Sequence, residues 1–567
     1  DGGVVCMGEH QGEQVLGVRL SWNKRYITLA PVATVLGLAF KLKDPDGLIG
    51  DKADIGITCA LIPSDHKGVE LGERHDPLGS AFMNGPTRGN DVFIPMDWLI
   101  GGQDYAGKGW RMLVECLSAG RGISLPALGT AIGHLTARTT GAYAYVRKQF
   151  GMSIGKFEGV AEALGRIGGY TYLLEATRTL TTTSLDLGET PGIVTAIAKY
   201  HMTEMARTIL NDSMDIHAGR AIQDGPMNYL AKHYLGIPVA ITVEGANILT
   251  RNLMIFGQGA TRCHPYVLKE MEAASNPDQD QAAEDFDKLL FKHIGHASKN
   301  SFGAFGAALT GSRLIKANMS GATQHYYQDL TRMSRALAVS ADFAMLTLGG
   351  DLKRKEMISA RLGDVLAYLY MASAALKKYE DDGRQQQDLD YVHYGVQHCL
   401  YHAAQSLQQA FTNYPYKGVG RLLKVVIFPL GNRFQQPSDD LSVKLAESLM
   451  TPGAHRDRLT HLCYIGKRAD DNIGLMENAF LAMYGVQSIE RKLYRAAKEG
   501  KVARKGPLGE RLAQAKEAGV LTEQEIEQVL AADKLRYQAI QVDNFSHDFS
   551  EVTTDKAVRK PKLNSVA

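Results

Sequence analysis

Cysteine is scarce in this 567-residue chain: Cys6, Cys59, Cys116, Cys263, Cys399 and Cys463 lie far apart, and no two form a C-x-x-C pair. That spacing argues against a zinc module and fits a reducing compartment, so a cytoplasmic placement is expected. Excess charge of one sign is also lacking. The 63 basic side chains offset 61 acidic ones to leave a net +2, and nothing global points to nucleic acid as a partner. No run of about eighteen apolar residues occurs, which argues against a membrane-spanning helix. Neither a signal peptide nor an initiating methionine opens the chain. It starts in mid-phrase, "DGGVVCMGEHQG", and reads as a fragment.

What is present is the composition of a soluble globular protein, 45% apolar and 22% charged. The length calls for several cores, about two to four domains. Residues 1–104 carry short β-branched and aromatic runs ("QVLGVRLSW", "RYITLAPVATVLGLAFKL", "IGITCALIP", "DVFIP") separated by Gly, Asp and Pro. Strand follows strand, so an antiparallel β sandwich or barrel is expected there. Over 105–262, segments such as "GVAEALGRIGGYTYLLEATRTLTTTSLDLG" place apolar residues at helical spacing and end near Gly, which predicts an antiparallel helical bundle. The polar "EAASNPDQDQAAED" marks 263–290 as a linker. A helical extension is expected over 291–480, followed by charged amphipathic helices and a tail over 481–567, whose last stretch "KAVRKPKLNSVA" reads as disordered. The architecture is thus α+β and multidomain.

One stretch, "PVAITVEGANILTRNLMIFG" (238–257), sets a carboxylate, Glu244, between an apolar run and a periodic apolar segment, with no basic residue beside it. Taken alone, an acid ahead of a helix is most often a favourable charge at the positive helix end. Four further stretches occur in order with it: "KRYIT" (24–28), "GKGWRMLVECLSAGR" (107–121), "VRKQFG" (146–151) and "DIHAGRAI" (215–222).

Together these motifs resemble those of the acyl-CoA dehydrogenases, and with the helical tail the chain is similar to the bacterial long-chain type of fatty-acid β-oxidation. The resemblance implies FAD as cofactor, with Tyr26, Ile27 and Thr28 in place of the K-x-W-I-T contacts. Arg147, Gln149 and Phe150 match the R-x-x-F-G motif, Gly219 the Q-x-x-G-G-x-G loop, and Gly245, Ala246 and Asn247 the segment after the base. It further implies Ser118, Arg121 and Gly245 at the substrate, Glu244 as the catalytic base and trans-2-enoyl-CoA as the product. Implied partners are an acyl-CoA, an electron-transfer flavoprotein and at least a second copy of the chain.

Asp215, Ala218 and Ala221 depart from the usual Gln and Gly residues, and the family's T-E-P-x-x-G-S-D loop is not in the sequence. An acyl-CoA oxidase and a non-catalytic scaffold of the same fold are the alternatives. The chemistry explains the apolar run: a carboxylate desolvated by its neighbours is a stronger base near neutral pH.

Three other signals carry less. His398 and His402 share a helix face but lack the Glu of H-E-x-x-H and a third ligand, so a pair of helix histidines is expected. "KGVGRLL" (417–423) lacks the ending of a phosphate loop. The basic stretch 492–505 reads as a solvated helix face, with peripheral contact at an inner-membrane surface as the alternative.

Overall fold

The computed structural model describes residues 1–468 and 471–549, without the side chains of Val114, Ser118, Ala119, Gln258, Thr261 and Arg262. The expected disorder of "KAVRKPKLNSVA" and the Ser118 side chain therefore lie outside the described residues. The chain divides into two compact units, Asp1–Gly120 and the residues from Arg121 onward.

In the first unit, alternation builds the strands. Leu36, Leu38, Phe40 and Leu42 are buried while their neighbours face outward, the period of a sheet with one covered face. Strands β1 (Gly2–His10), β2 (Glu13–Thr28), β3 (Val35–Lys43), β4 (Asp54–Pro63), β5 (Val69–Leu71) and β6 (Asn84–Pro95) form one sheet in the order β4-β3-β1-β2-β6-β5. Every junction is antiparallel except β1–β3, which is parallel. Val5, Val18, Leu20, Trp22, Ile62 and Ile94 join the apolar face.

The β2–β6 register shifts between Lys24 and Ile27, a bulge that releases Arg25 and Tyr26 from the ladder. Tyr26 takes φ 60°, a left-handed conformation that a bulky residue rarely adopts.

Helices make the second unit. The boundary falls inside α1 (Gly109–Val146), which continues through Pro126. The bundle is completed by α2 (Glu158–Asp186), α3 (Gly192–His217), the short α4 (Gly219–Ile222) and α5 (Ala231–Thr242). The single helix suggested by "NILTRNLMIF" is broken into α6 (Asn247–Leu249), a π-helical turn Thr250–Ile255, and α7 (Phe256–Arg262). Such wide turns concentrate at functional sites.

The structure corrects the linker expected over 263–290. That stretch holds α8 (Val267–Ala274) and the start of α9 (Gln279–Leu309), leaving only 263–266 and 275–278 outside a helix. Its polarity is that of an exposed helix face, and Asp278 is a cap whose carboxylate accepts from Gln281 N at 3.1 Å.

Beyond α9, α10 (Gln324–Leu348), α11 (Glu356–Asp381) and α12 (Leu389–Thr412) extend the same apolar core as α1–α3. Among the described residues no helix is long and apolar enough to cross a membrane.

Candidate active site

The end of α5 sets up the site. Val243 is extended and Glu244 turns to φ 53°, followed by Gly245 at φ 88°. Gly245 adopts this freely; for Glu244 the same region costs about 1–2 kcal/mol. Surrounding bonds must therefore hold the turn.

Arg121 of α1, buried, donates from Nε to the Glu244 carbonyl at 3.0 Å. Lys199 of α3, fully buried, donates from Nζ to the carbonyls of Ile241 (3.2 Å) and Gly245 (2.8 Å) and to Asn247 Oδ1 (2.6 Å). Thr250 Oγ1 also donates to the Gly245 carbonyl, at 3.2 Å.

Two cations therefore flank the acid, yet the donors just described are spent on backbone carbonyls and an amide. Glu244 Oε2 is enclosed and has no hydrogen-bond partner among the described residues. Burial pushes its pKa up, against the opposing pull of Arg121 and Lys199. Burial in turn pulls Lys199 down to about 8.

Asn247, expected among the cofactor contacts, has its side chain engaged inside the turn. It is buried, and besides accepting from Lys199 its amide donates to Thr203 Oγ1 (3.0 Å) and Glu204 Oε1 (2.8 Å). With both amide hydrogens engaged, the side chain fastens the turn. Arg251, in the π turn, is held by the Asp364 carboxylate of α11 at 2.5–3.1 Å. Ala246 is exposed beside Gly245.

The R-x-x-F-G segment forms a tight hairpin in which Gln149 pairs with Met152, and Phe150 and Gly151 turn at φ 51° and 81°. Phe150 is 91% exposed, Gln149 is exposed, and Arg147 is half-buried with no ion-pair partner among the described residues. Tyr143, one turn before Arg147, stacks on His217 with ring centres 4.1 Å apart. This brings the hairpin to the same end of the bundle as exposed Gly219. Ala218, at a position where the resemblance expects Gly, takes a positive φ of 50°, a conformation that Gly would adopt without strain.

Arg121 lies in α1 and Arg147 is the first residue past its end, so the hairpin and Glu244 belong to opposite ends of the bundle, about 39 Å apart along the axis of α1 at 1.5 Å per residue. In the sheet unit, Tyr26 is 74% exposed, Thr28 is exposed and pairs with Asn84, and Ile27 is half-buried. An exposed aromatic in a strained conformation is costly to keep without a ligand.

Sequence reasoning missed Lys199. Its one signal is a lysine inside the apolar face of "IVTAIAKYHMTEMARTIL". It also missed that Arg121 lies within a helix, against the backbone of the proposed base. His398 packs edge to face with Tyr170 and Tyr368, His402 stacks on Tyr368, and neither joins a metal-type cluster among the described residues.

Comparison with known proteins places these features. A family profile described as "Acyl-CoA dehydrogenase, C-terminal, bacterial type" matches residues 261–545, half of the chain, and "Acyl-CoA dehydrogenase, C-terminal domain" matches 107–256. Probable acyl-CoA dehydrogenase FadE10 of Mycobacterium tuberculosis is 26% identical over 392 residues, 65% of this chain and 55% of that protein. Protein HemX of Proteus mirabilis is 62% identical over 104 residues, 18% of this chain and 61% of that protein. The chain thus spans less than two thirds of the length of these relatives. A solved acyl-CoA dehydrogenase complexed with FAD from Bacillus anthracis shares the fold at TM-score 0.61 and 15% identity, covering 79% of this chain and 72% of that one. With the two profiles adjoining along the chain and Glu244 inside the 107–256 match, the chain belongs to the acyl-CoA dehydrogenase family.

Proposed function

We propose that this chain carries the base of an FAD-dependent acyl-CoA dehydrogenase that converts a long-chain acyl-CoA to the trans-2-enoyl-CoA. The observation that supports this most directly is the enclosed, unpartnered Oε2 of Glu244 between two cations whose hydrogen bonds go elsewhere. Removal of a weakly acidic α-proton needs a carboxylate that is dry enough to be basic and not neutralised by an ion pair. Nearby positive charge favours the enolate-like charge that grows on the thioester, and Gly245 lets a ligand come close to the backbone.

The exposed, strained Tyr26 and the unpaired Arg147 suit a flat ring and a pyrophosphate. Tyr26, Ile27 and Thr28 in the sheet unit, and Arg147, Gln149, Phe150 and Gly219 in the helical unit, would hold FAD. When bound, the flavin supplies the acceptor for the β-hydride. The separation of Arg147 from the Glu244 end of α1 supports a role for Arg147 at the cofactor of a second copy, hence a dimer or larger assembly.

An electron-transfer flavoprotein is the proposed electron acceptor. The exposed Arg491, Lys492, Arg495 and Lys498 on the helix Gln487–Lys498 support contact with an anionic membrane surface.

The test is Glu244→Gln. The variant should fold and retain flavin but lose dehydrogenation by at least the ~10²–10⁴-fold typical of a removed general base. Wild-type turnover would remove Glu244 from the role. Acceptor reduction without oxygen, set against peroxide release in air, separates the dehydrogenase from an oxidase.

A further inference from the structure

Away from Glu244, a cleft of about 360 Å³ opens between the end of α9, the face of α10 and the loop before Ser438. Its lining is unusual in charge. Arg313, Arg332 and Arg433 all contribute, and Asp329 is the one acid.

Arg332 is only 4% exposed, yet among the described residues neither it nor the other two arginines has a carboxylate within ion-pair distance. Its guanidinium has a single long hydrogen bond, Nη2 to the Ile427 carbonyl at 3.5 Å, and lies 5.3 Å from the centre of the Phe434 ring. Burial lowers its pKa, Asp329 works against this and Arg433 adds to it. A guanidinium does not shed its proton in a protein, so the charge stays. Burial likewise raises Asp329, which weakens the one acid available to compensate.

A buried charge with no ion-pair partner is costly unless something supplies one. Three planar donor forks around one opening match the oxygens of a tetrahedral anion. The volume falls in the range of small-molecule sites.

We propose that this cleft is a binding site for a phosphate-bearing anion, from pyrophosphate to a small organic phosphate. The site stands apart from the reading of Glu244 and does not depend on it.

The experiment titrates sodium pyrophosphate into the full chain by calorimetry at constant ionic strength, with sodium chloride and sodium sulfate as comparison salts. Because a flavin site could also take pyrophosphate, the decisive comparison is with the Arg313→Gln/Arg433→Gln double variant. Both positions are exposed and removable without opening the core. Saturable binding that weakens at least tenfold in the double variant, and tightens severalfold in Asp329→Asn, is the expected result. A second arm with phosphatidic acid vesicles, against phosphatidylcholine, separates a lipid headgroup from a soluble phosphate. Pyrophosphate that displaces such vesicles from the wild type alone assigns the phosphate to lipid. Binding no stronger than that of chloride, or equal in wild type and double variant, would overturn the site.

Discussion

Lys199→Met offers the sharpest probe of how the turn at Glu244 is held. The ammonium bridges the Ile241 and Gly245 carbonyls and Asn247 Oδ1 at 3.2, 2.8 and 2.6 Å. Methionine has a similar length and no donor. It leaves the Ile241 carbonyl and the Asn247 oxygen without this partner, at about 1–3 kcal/mol each, while the Gly245 carbonyl keeps Thr250.

The substitution also removes a buried charge whose pKa is lowered from 10.5 to about 8, worth at most about 3 kcal/mol near neutral pH. That cost applies below pH 8 and fades as pH rises toward the unfolded value, because the folded state then no longer has to protonate the amine. The two effects largely offset, so global stability should change by no more than about 3 kcal/mol.

Function should not cancel. Glu244 occupies a left-handed conformation that its neighbours enforce, and without Lys199 the turn can relax. A loss of about 10–100-fold in kcat/KM, or 1.4–2.8 kcal/mol, is expected. The variant also deprives Glu244 of one of the two cations that lower its pKa, so the acid limb of the kcat/KM profile should move to higher pH. The assay is acyl-CoA-dependent dye reduction by flavin-loaded protein between pH 5.5 and 9. Merely structural damage would lower the rate and leave the acid limb in place. A variant with wild-type kcat/KM and an unshifted limb would refute the account of the turn.

Other perturbations test separate parts of the molecule. Arg147→Ala should purify with less bound flavin, read from visible absorbance per protein, and full occupancy would refute its role. Glu477 is buried between Arg138 (2.6 and 3.1 Å) and Arg456 (2.8 and 2.9 Å), so Glu477→Gln should cost about 3–5 kcal/mol in denaturant unfolding by leaving the buried Arg456 without its carboxylate, while Arg138 keeps Asp457 at 2.6 Å. His293 bridges Glu270 (2.9 Å) and Asp342 (3.3 Å). Burial pulls its pKa down, but these two carboxylates outweigh it and the value is raised. Its contribution, about 1 kcal/mol after solvent screening, should be complete below pH ~6.5 and vanish as pH rises through the raised folded value. The Tm difference between wild type and His293→Gln should therefore shrink from pH 5.5 to 8.5, and a constant difference would contradict this. His264 beside it accepts from the N–H groups of Tyr266 and Val267 at Nδ1, which puts its proton on Nε2 toward Asp342 and makes the group a hydrogen-bonded relay.

Periodicity was enough to read the elements. The alternation in "VLGLAFKLK" and the helical spacing of the later segments are local properties of the chain, and the strands and helices follow them. Where polarity was taken for a linker, the error was also local: an exposed helix face and a loop have similar composition, and only the Asp278 cap distinguishes them.

The sequence by itself also picked out the acid after the apolar run and the order of motifs that names the family. What it could not contain is the company Glu244 keeps. Arg121 lies more than a hundred residues before it, Lys199 comes from another helix, and Asp364, which holds Arg251, from a third. Nor could it show that both cations would turn their hydrogen bonds to carbonyls. Basicity depends on the total field and solvent around a carboxylate, and these are sums over groups that only the packed helices bring within a few ångströms of one another.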